Sequence, residues 1–293
     1  MINNFLGEIY AQSCLWWRQI DRFTVSIVLI LMAVSVIMVA TASPAVASRI
    51  GVHSSYFIQK HLQFTLLAIV VLLLVSSLTI PQLRLMCYCG LLVSILMLVA
   101  VIFSGYEIKG ATRWLNLFGL SIQPSEFVKP FLLFVTGDLL AAYHNNNKFP
   151  GWQAAFALFA VSIMLLIMQP DFGLSATLTL LFAMQLFIAG LTVFWVMIVG
   201  LVASVGVVTC YYSLPHVANR INYFLNSGSV KGYQISKSLA AITDGGWFGK
   251  GLGEGIVKQH LPDSHTDFIF PVMVEELGLV ISLIVIGLYL WLA

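Results

Sequence analysis

What this sequence has least of is charge. Its 293 residues include only 14 Lys and Arg and 12 Asp and Glu, so charged types make up 9% of the chain, against roughly a quarter of an ordinary soluble domain. So few charges cannot clothe a soluble globular enzyme of this size, and a disordered chain is excluded as well. The formal net charge of +2 provides no broad basic surface for nucleic acid. Cysteine is scarce too. Cys14, Cys87, Cys89 and Cys210 have neither the density of a disulfide scaffold nor the spacing of a zinc site, and no HExxH pair is present. What fills the chain is apolar. Hydrophobic types reach 60%, and Phe, Tyr and Trp 13%, a composition that suits membrane helices with aromatic belts. The apolar residues fall in runs too long for barrel strands.

Eight runs read as helical spans, over residues 23–41, 62–80, 83–103, 126–143, 152–169, 172–190, 191–213 and 268–292. Most hold about 18–22 residues, enough to cross roughly 30 Å of hydrocarbon. The expected fold class is therefore an all-α integral membrane protein, a polytopic helix bundle of about eight spans. A short N-terminal segment, 1–22, precedes a single transmembrane domain, 23–293. The first apolar run, of about 19 residues, exceeds a signal-peptide core of about 7–15 and is read as a retained anchor. The fourth is weakest, because Lys129 and Asp138 lie inside it. The sixth and seventh meet at Gly190, which demands a tight turn. With the N-terminus inside, Lys and Arg are in excess on the outer side, the reverse of the usual bias, so composition leaves the orientation open. Span parity says more. Loops 42–61, 104–125, 170–171 and 214–267 share one face, and the short, bland loops share the other. The loops that carry chemistry converge on one surface.

Three polar stretches stand out. Residues 104–130 hold Lys109, Arg113, Glu126 and Lys129. Gln123-Pro124-Ser125-Glu126 reads as a helix start, with Pro in the first turn and a carboxylate near the N-terminal dipole. Glu126 and Lys129, three apart, share a helix face. The plain reading is a local ion pair, but Lys129 lies one turn into the membrane, where charge usually faces a wet interior. Gln169-Pro170-Asp171-Phe172-Gly173 makes a sound turn in its own right. The long loop 214–267 carries a dense glycine run, Gly245 to Gly255. It lacks the GxxxxGK[ST] order and a preceding strand, so no nucleotide site is indicated. Its amides suit an anion-binding concavity, with simple flexibility as the alternative.

The loop ends in two carboxylates, two imidazoles and a lysine: Lys258, His260, Asp263, His265 and Asp267. Asp267 falls where water meets hydrocarbon, a depth at which a carboxylate makes a better base than in open water. It is also placed to cap the helix that starts at Phe268. Glu275 and Glu276, two turns further in, cannot both face lipid, so at least one must face a wet cavity or a partner.

Four strings, GATRWLNLFGLSIQPSEFVK, QPDFG, GYQISKSLAAITDGGWFGKGLGEG and LPDSHTDFIFPVMVEELGL, resemble the SEDS family (shape, elongation, division and sporulation), the FtsW and RodA peptidoglycan glycosyltransferases. The resemblance runs from about Trp16 to the last residue. Trp16-Trp17-Arg18-Gln19-Ile20-Asp21-Arg22 and Ala42-Ser43-Pro44-Ala45-Val46-Ala47 look more like the division branch than the elongation branch. The resemblance implies a ten-helix bundle in the bacterial inner membrane, with cytoplasmic termini and the polar loops, 214–267 among them, on the periplasmic face at the division septum. Against that pattern the chain reads as truncated, since it stops at Ala293 as the eighth span ends.

The implied substrate is lipid II, a disaccharide-peptide on undecaprenyl pyrophosphate. The implied reaction is inverting transfer of its sugar to an acceptor hydroxyl. Asp267 matches the family's catalytic aspartate, as general base. Arg113 and Lys129 are candidates for the pyrophosphate, Glu126 would orient Lys129, and Trp114 would stack on a sugar. Gln123, Lys258 and His265 complete the expected substrate-binding set. The resemblance admits help from a divalent cation, magnesium or manganese, and implies no nucleotide. The implied partners are a class B penicillin-binding transpeptidase and other division membrane proteins, and no nucleic acid. Two rivals stay open: a lipid II flippase or transporter, which needs a polar path across the full depth, and a non-catalytic division scaffold.

Overall fold

The computed structural model describes residue 16, residues 20–108, 111–117, 120–145, 149–169, 171–213, 230–261 and 263–292, and the single positions 215, 218 and 222. The N-terminal segment expected over 1–22 lies almost wholly outside the described residues, as does Lys109. The elements run α1 (Arg22–Ile50), α2 (Tyr56–Ser76), α3 (Ile80–Ser104), β1 (Tyr106–Ile108), β2 (Ala111–Leu117), β3 (Leu120–Ile122), α4 (Pro124–Asn145), α5 (Gly151–Met168), α6 (Phe172–Ile188), α7 (Val193–Ser213), α8 (Val230–Gly245), a 3-10 turn (Val257–His260) and α9 (Ile269–Leu292). They form two compact units, one of residues 1–77 and 211–293, the other of residues 78–210.

In the first unit, Asp21 starts α1 by accepting from the amides of Phe23 at 3.0 Å and Thr24 at 3.3 Å, two donors that the helix cannot satisfy internally. Ile27, Leu31, Met38 and Ala42 recur at helical spacing and pack with Leu261 and with Val272, Met273 and Val285 of α9. By contrast, no residue of α2 is buried. Phe57, His61, Thr65 and Leu72 lie in a half-buried stripe, with His61 Nε2 3.0 Å from the Ser35 hydroxyl, and the rest of the helix faces outward, as a lipid-facing helix does. Hydrocarbon is as apolar as leucine, so burial alone does not hold such helices together. Close packing and polar contacts must do so.

In the second unit the core joins Leu91 and Leu98 of α3, Val128, Leu132, Val135 and Leu139 of α4, Leu166 of α5, and Leu178, Phe182 and Leu186 of α6. The charge that made the fourth span look weak is accounted for here. Arg84 meets Asp138 through Nη2 at 2.8 Å and Nε at 3.0 Å, and the Tyr88 hydroxyl donates to the other carboxylate oxygen at 3.2 Å. Gly190 makes the tight turn after α6 at φ 97°, and the Leu191 amide donates back to the Leu186 carbonyl at 2.9 Å.

Helices occupy all eight expected spans. Five of them, α1, α2, α3, α5 and α9, are long and apolar enough to cross a membrane among the described residues, and the chain is a multi-pass membrane protein. Two stretches depart from the reading as loops. Residues 106–122 form a three-stranded antiparallel meander in the order β1-β2-β3, with Tyr106 opposite Trp114 and Leu115 opposite Ile122. The long loop contains α8 and the 3-10 turn.

Candidate functional site

The long loop is organised by a break in the helix that follows it. Gly278 sits at φ 84°, ψ 169°, far from helical values, in the middle of α9. This left-handed conformation is open to glycine and strained for other residues. The break frees the carbonyls before it and the amides after it, and the glycine run satisfies both. The amides of Lys250 and Gly251 donate to the Glu275 and Glu276 carbonyls at 2.9 and 3.0 Å. The amides of Leu279 and Val280 donate to the Gly246 and Trp247 carbonyls at 3.0 and 3.2 Å. The backbones approach so closely that a β-carbon on Gly278 would stand 2.4 Å from the Trp247 carbonyl oxygen. Gly245 and Gly249 let one backbone dock on another, since a β-carbon on the first would stand 2.1 Å from the Val274 carbonyl oxygen and on the second 2.2 Å from that of Glu276.

The side chains of the same helix hold the next stretch of loop. Glu275 and Glu276 are 0% and 1% exposed. The two Glu275 oxygens accept from the amides of Val257 at 2.7 Å and Lys258 at 2.9 Å, which cap the start of the 3-10 turn. Glu276 Oε1 pairs with the Lys258 ammonium, which also donates to the Gly253 carbonyl at 3.1 Å and the Thr41 carbonyl at 3.2 Å. Glu276 Oε2 is buried with no hydrogen-bond partner among the described residues. Lys258 was expected to bind substrate. Instead it is buried, and its three donors are all taken by the protein. Of the two surroundings expected for the glutamates, a wet cavity or a partner, both residues take the second, since each turns into the protein and meets donors there. Beside them, a cavity of about 600 Å³ is lined by Thr41, Arg49, Lys258 and His260 among others. Arg49 Nη2 donates to the Leu261 carbonyl at 2.8 Å.

Asp267 stands six residues beyond buried Leu261 and two before α9. It is exposed, not part-buried as its position suggested. The turn around it is made by backbone, with Thr266 and Phe268 donating to the Asp263 carbonyl at 3.1 and 3.3 Å. Among the described residues no amide caps on the Asp267 carboxylate, so the capping alternative is not realised. Its neighbour His265 is part-buried against the Phe57 ring, with centroids 4.2 Å apart, and its Nδ1 is buried without a hydrogen-bond partner among the described residues. Desolvation is the main cause that pushes the His265 pKa below the usual histidine value. Arg49 acts in the same direction, while Asp263 and Asp267 pull it back up. His265 is thus held towards the neutral form.

The remaining candidates belong to the second unit. Arg113 and Trp114 lie on β2, both part-exposed. Arg113 Nη1 is 3.5 Å from Asp171 Oδ1, and Asp171 also starts α6 by accepting from the Leu174 amide at 3.4 Å. The turn reading of Asp171 holds, and the partner it takes on β2 was not visible in the sequence. Gln123 donates from Nε2 to the Ser125 hydroxyl at 3.1 Å, so it serves the start of α4. Lys129 pairs with Glu126 at 2.5 Å, with side chains 31% and 54% exposed. The pair forms as the spacing implied, with both side chains open to solvent in part.

Comparison with known proteins agrees with this architecture. Residues 21–293 match the model of the FtsW/RodA/SpoVE family, described as cell cycle protein. A relative named probable peptidoglycan glycosyltransferase FtsW, from Caulobacter vibrioides, is 36% identical over 276 residues, covering 94% of this chain and 71% of the relative. A protein of the same name from Aliivibrio salmonicida is 34% identical over 269 residues, covering 89% of this chain and 66% of its own length. Among solved structures, a chain described under "Structural coordination of polymerization and crosslinking by a peptidoglycan synthase complex" superposes with a TM-score of 0.71 at 24% identity, covering 94% of this chain and 76% of that one. The rod shape determining protein RodA of Thermus thermophilus superposes with a TM-score of 0.61 at 24% identity, covering 94% and 73%. With its helical order, glycine-docked break and polar loops in place, this chain belongs to the FtsW/RodA/SpoVE family of cell cycle proteins.

Proposed function

We propose that the chain is a peptidoglycan glycosyltransferase that polymerises lipid II at the division septum, with its active face towards the periplasm. No ATP is available there, so the energy of the new bond must come from the donor, and a sugar linked to undecaprenyl pyrophosphate carries it. The acceptor hydroxyl attacks the anomeric carbon, the bond from that carbon to the pyrophosphate oxygen breaks, and the configuration inverts. Asp267 takes the hydroxyl proton. Arg113 and Lys129 meet the charge on the leaving pyrophosphate, where guanidinium and ammonium are its ordinary partners. Glu126 orients Lys129. Trp114 stacks on a sugar face. The proposed partner is a class B penicillin-binding transpeptidase. A divalent cation would add positive charge at the pyrophosphate. Among the described residues no three His, Cys, Asp or Glu side chains are grouped to hold one.

The observation that carries this reading is Asp267 itself, an exposed carboxylate two residues before α9 that, among the described residues, caps no amide. Its test is polymerisation of purified lipid II by wild type and Asp267→Asn. Asn keeps the shape but cannot accept the proton, so the rate should fall about 10²–10⁴-fold, with expression and transpeptidase binding unchanged. Near-normal glycan product from Asp267→Asn would end the base assignment. If expression and partner binding fall together with activity, Asp267 is structural.

A further inference from the structure

Among the described residues no hydrogen bond or ion pair holds the Asp267 carboxylate, so its position is set by how the segment it sits in is anchored. We propose that Glu275 and Glu276 are positioning residues for Asp267. They clasp the chain at Val257-Lys258 onto α9 and so close the intervening segment into a loop of fixed ends. The inference rests on Asp267 being the general base.

The geometry is specific. Lys258 and Glu276 are 18 positions apart, and Asp267 lies halfway between them. On the far side of Asp267 the chain runs directly into α9. On the near side Leu261 is held by Arg49 and by packing in the core, and further back the amides that open the short 3-10 turn would have no partners of their own. Glu275 supplies them, one oxygen to each amide, at 2.7 and 2.9 Å. Glu276 adds the charge pair with buried Lys258. The backbone of the same two residues is gripped separately, through the Lys250 and Gly251 amides, so the clasp cannot slide along α9. Gly255 completes it. A β-carbon there would stand 2.9–3.1 Å from the Glu275 carboxylate atoms, too close for that carboxylate to keep its place. Two wholly buried carboxylates are costly in a membrane helix, and here each is matched to donors that come from the loop before Asp267.

A clasp that positions the base acts on the rate of the chemical step, because a misplacement of about 1 Å can cost on the order of 100-fold. It leaves the ground-state binding of lipid II largely untouched. The test compares Glu275→Gln and Gly255→Ala in the full-length protein with its transpeptidase, using lipid II polymerisation and thermal unfolding in the same detergent. Gln presents one acceptor oxygen and a competing NH2 where two amides converge. The Gly255→Ala methyl displaces the carboxylate without changing any charge. For each folded variant kcat should fall about 10- to 100-fold while KM stays within about threefold, and Glu275→Asp should recover part of the loss. A folded variant with wild-type kcat overturns the proposal. So does failure of both variants to accumulate, which would make the glutamate a folding residue only. Asp244→Asn, at a surface pair with Lys250, should turn over normally. Asp267→Asn is run alongside. If it retains activity the base assignment fails, and that outcome is distinct from a normal kcat in Glu275→Gln beside an inactive Asp267→Asn.

Discussion

The chain contains two lysine–glutamate pairs with the same chemistry and opposite surroundings. Glu126 and Lys129 lie three residues apart on α4, with side chains 54% and 31% exposed. Lys258 and Glu276 lie 18 apart, with side chains 5% and 0% exposed. The first pair is local, and either member can be solvated if the other leaves. The second is buried and joins two distant stretches of chain; Lys258 keeps two backbone carbonyls besides its pair, but among the described residues Glu276 has no other partner. A like-named contact is therefore worth little in one place and a great deal in the other. The exposed pair retains charge that a ligand can meet, whereas the buried pair holds the backbone.

The largest effect that sharpens this contrast is expected from Lys258→Met. It strands the Glu276 carboxylate in the protein interior, and breaking one side of a buried pair costs about 3–5 kcal/mol. Thermal or chemical unfolding in detergent should show a loss of that order, with low expression. A loss below about 1 kcal/mol would mean that the site opens to water, and the contrast with α4 would fail.

Gly278→Ala should come next. Its backbone conformation is left-handed, and the added methyl would press on the Trp247 carbonyl at 2.4 Å and the Gly249 amide nitrogen at 2.5 Å. A residue forced to positive φ costs about 1–2 kcal/mol, and the collision adds to that. Protection of the Leu279 and Val280 amides in hydrogen exchange should fall with it. Unchanged protection would show that the docking of the glycine run does not depend on close approach.

A smaller effect should follow acidification. The His265 pKa is pushed down chiefly by desolvation. The unfolded chain then binds the proton more readily than the folded one, so stability is flat above the ordinary histidine value of about 6.5 and falls as pH drops below it. The segment around Asp267 should loosen in that window in wild type, measured by limited proteolysis between pH 7.5 and 5.5. His265→Phe should flatten the response. The same slope in His265→Phe would assign the pH dependence to other groups.

Much of this contrast was within reach of the sequence, and the rest was not, for physical reasons. The helices were legible because apolar runs of membrane length have one simple reading. The span expected over 126–143 lies within α4, Pro124–Asn145, and the one expected over 268–292 matches α9 almost to the residue. The meander at 106–122 and the helix Val230–Gly245 were not legible, because polar segments carry no long apolar run. At the site, Glu126 with Lys129 was visible as a three-residue spacing, a short-range signal. Glu275, Glu276, Lys258 and the glycine run were all conspicuous, but their partners are long-range. Sequence spacing does not say that Lys258 reaches Glu276, or that Gly251 docks on a broken helix 25 residues later. The one clue was chemical. Two adjacent carboxylates in an apolar helix require partners, and the nearest polar stretch was the loop that supplied them.

The smallest stability effect belongs to Lys129→Ala, and it separates the two pairs most cleanly. The mutation leaves Glu126 on the exposed side of α4, where water takes over the role of the ammonium, so the cost should be about 0–1 kcal/mol. Under the proposed function the same lysine meets a pyrophosphate, and its loss should raise KM for lipid II by a factor of about 10, the equivalent of about 1.4 kcal/mol in binding. Lys129→Arg should restore most of the binding, since the charge is kept. Stability and substrate affinity thus separate at Lys129, whereas at Lys258 they should fall together. If Lys129→Ala unfolds as readily as Lys258→Met, the pair on α4 is structural. If it keeps both stability and KM, Lys129 has no part in binding the pyrophosphate, and the cations for the leaving group must be sought elsewhere, with Arg113 on β2 first among them.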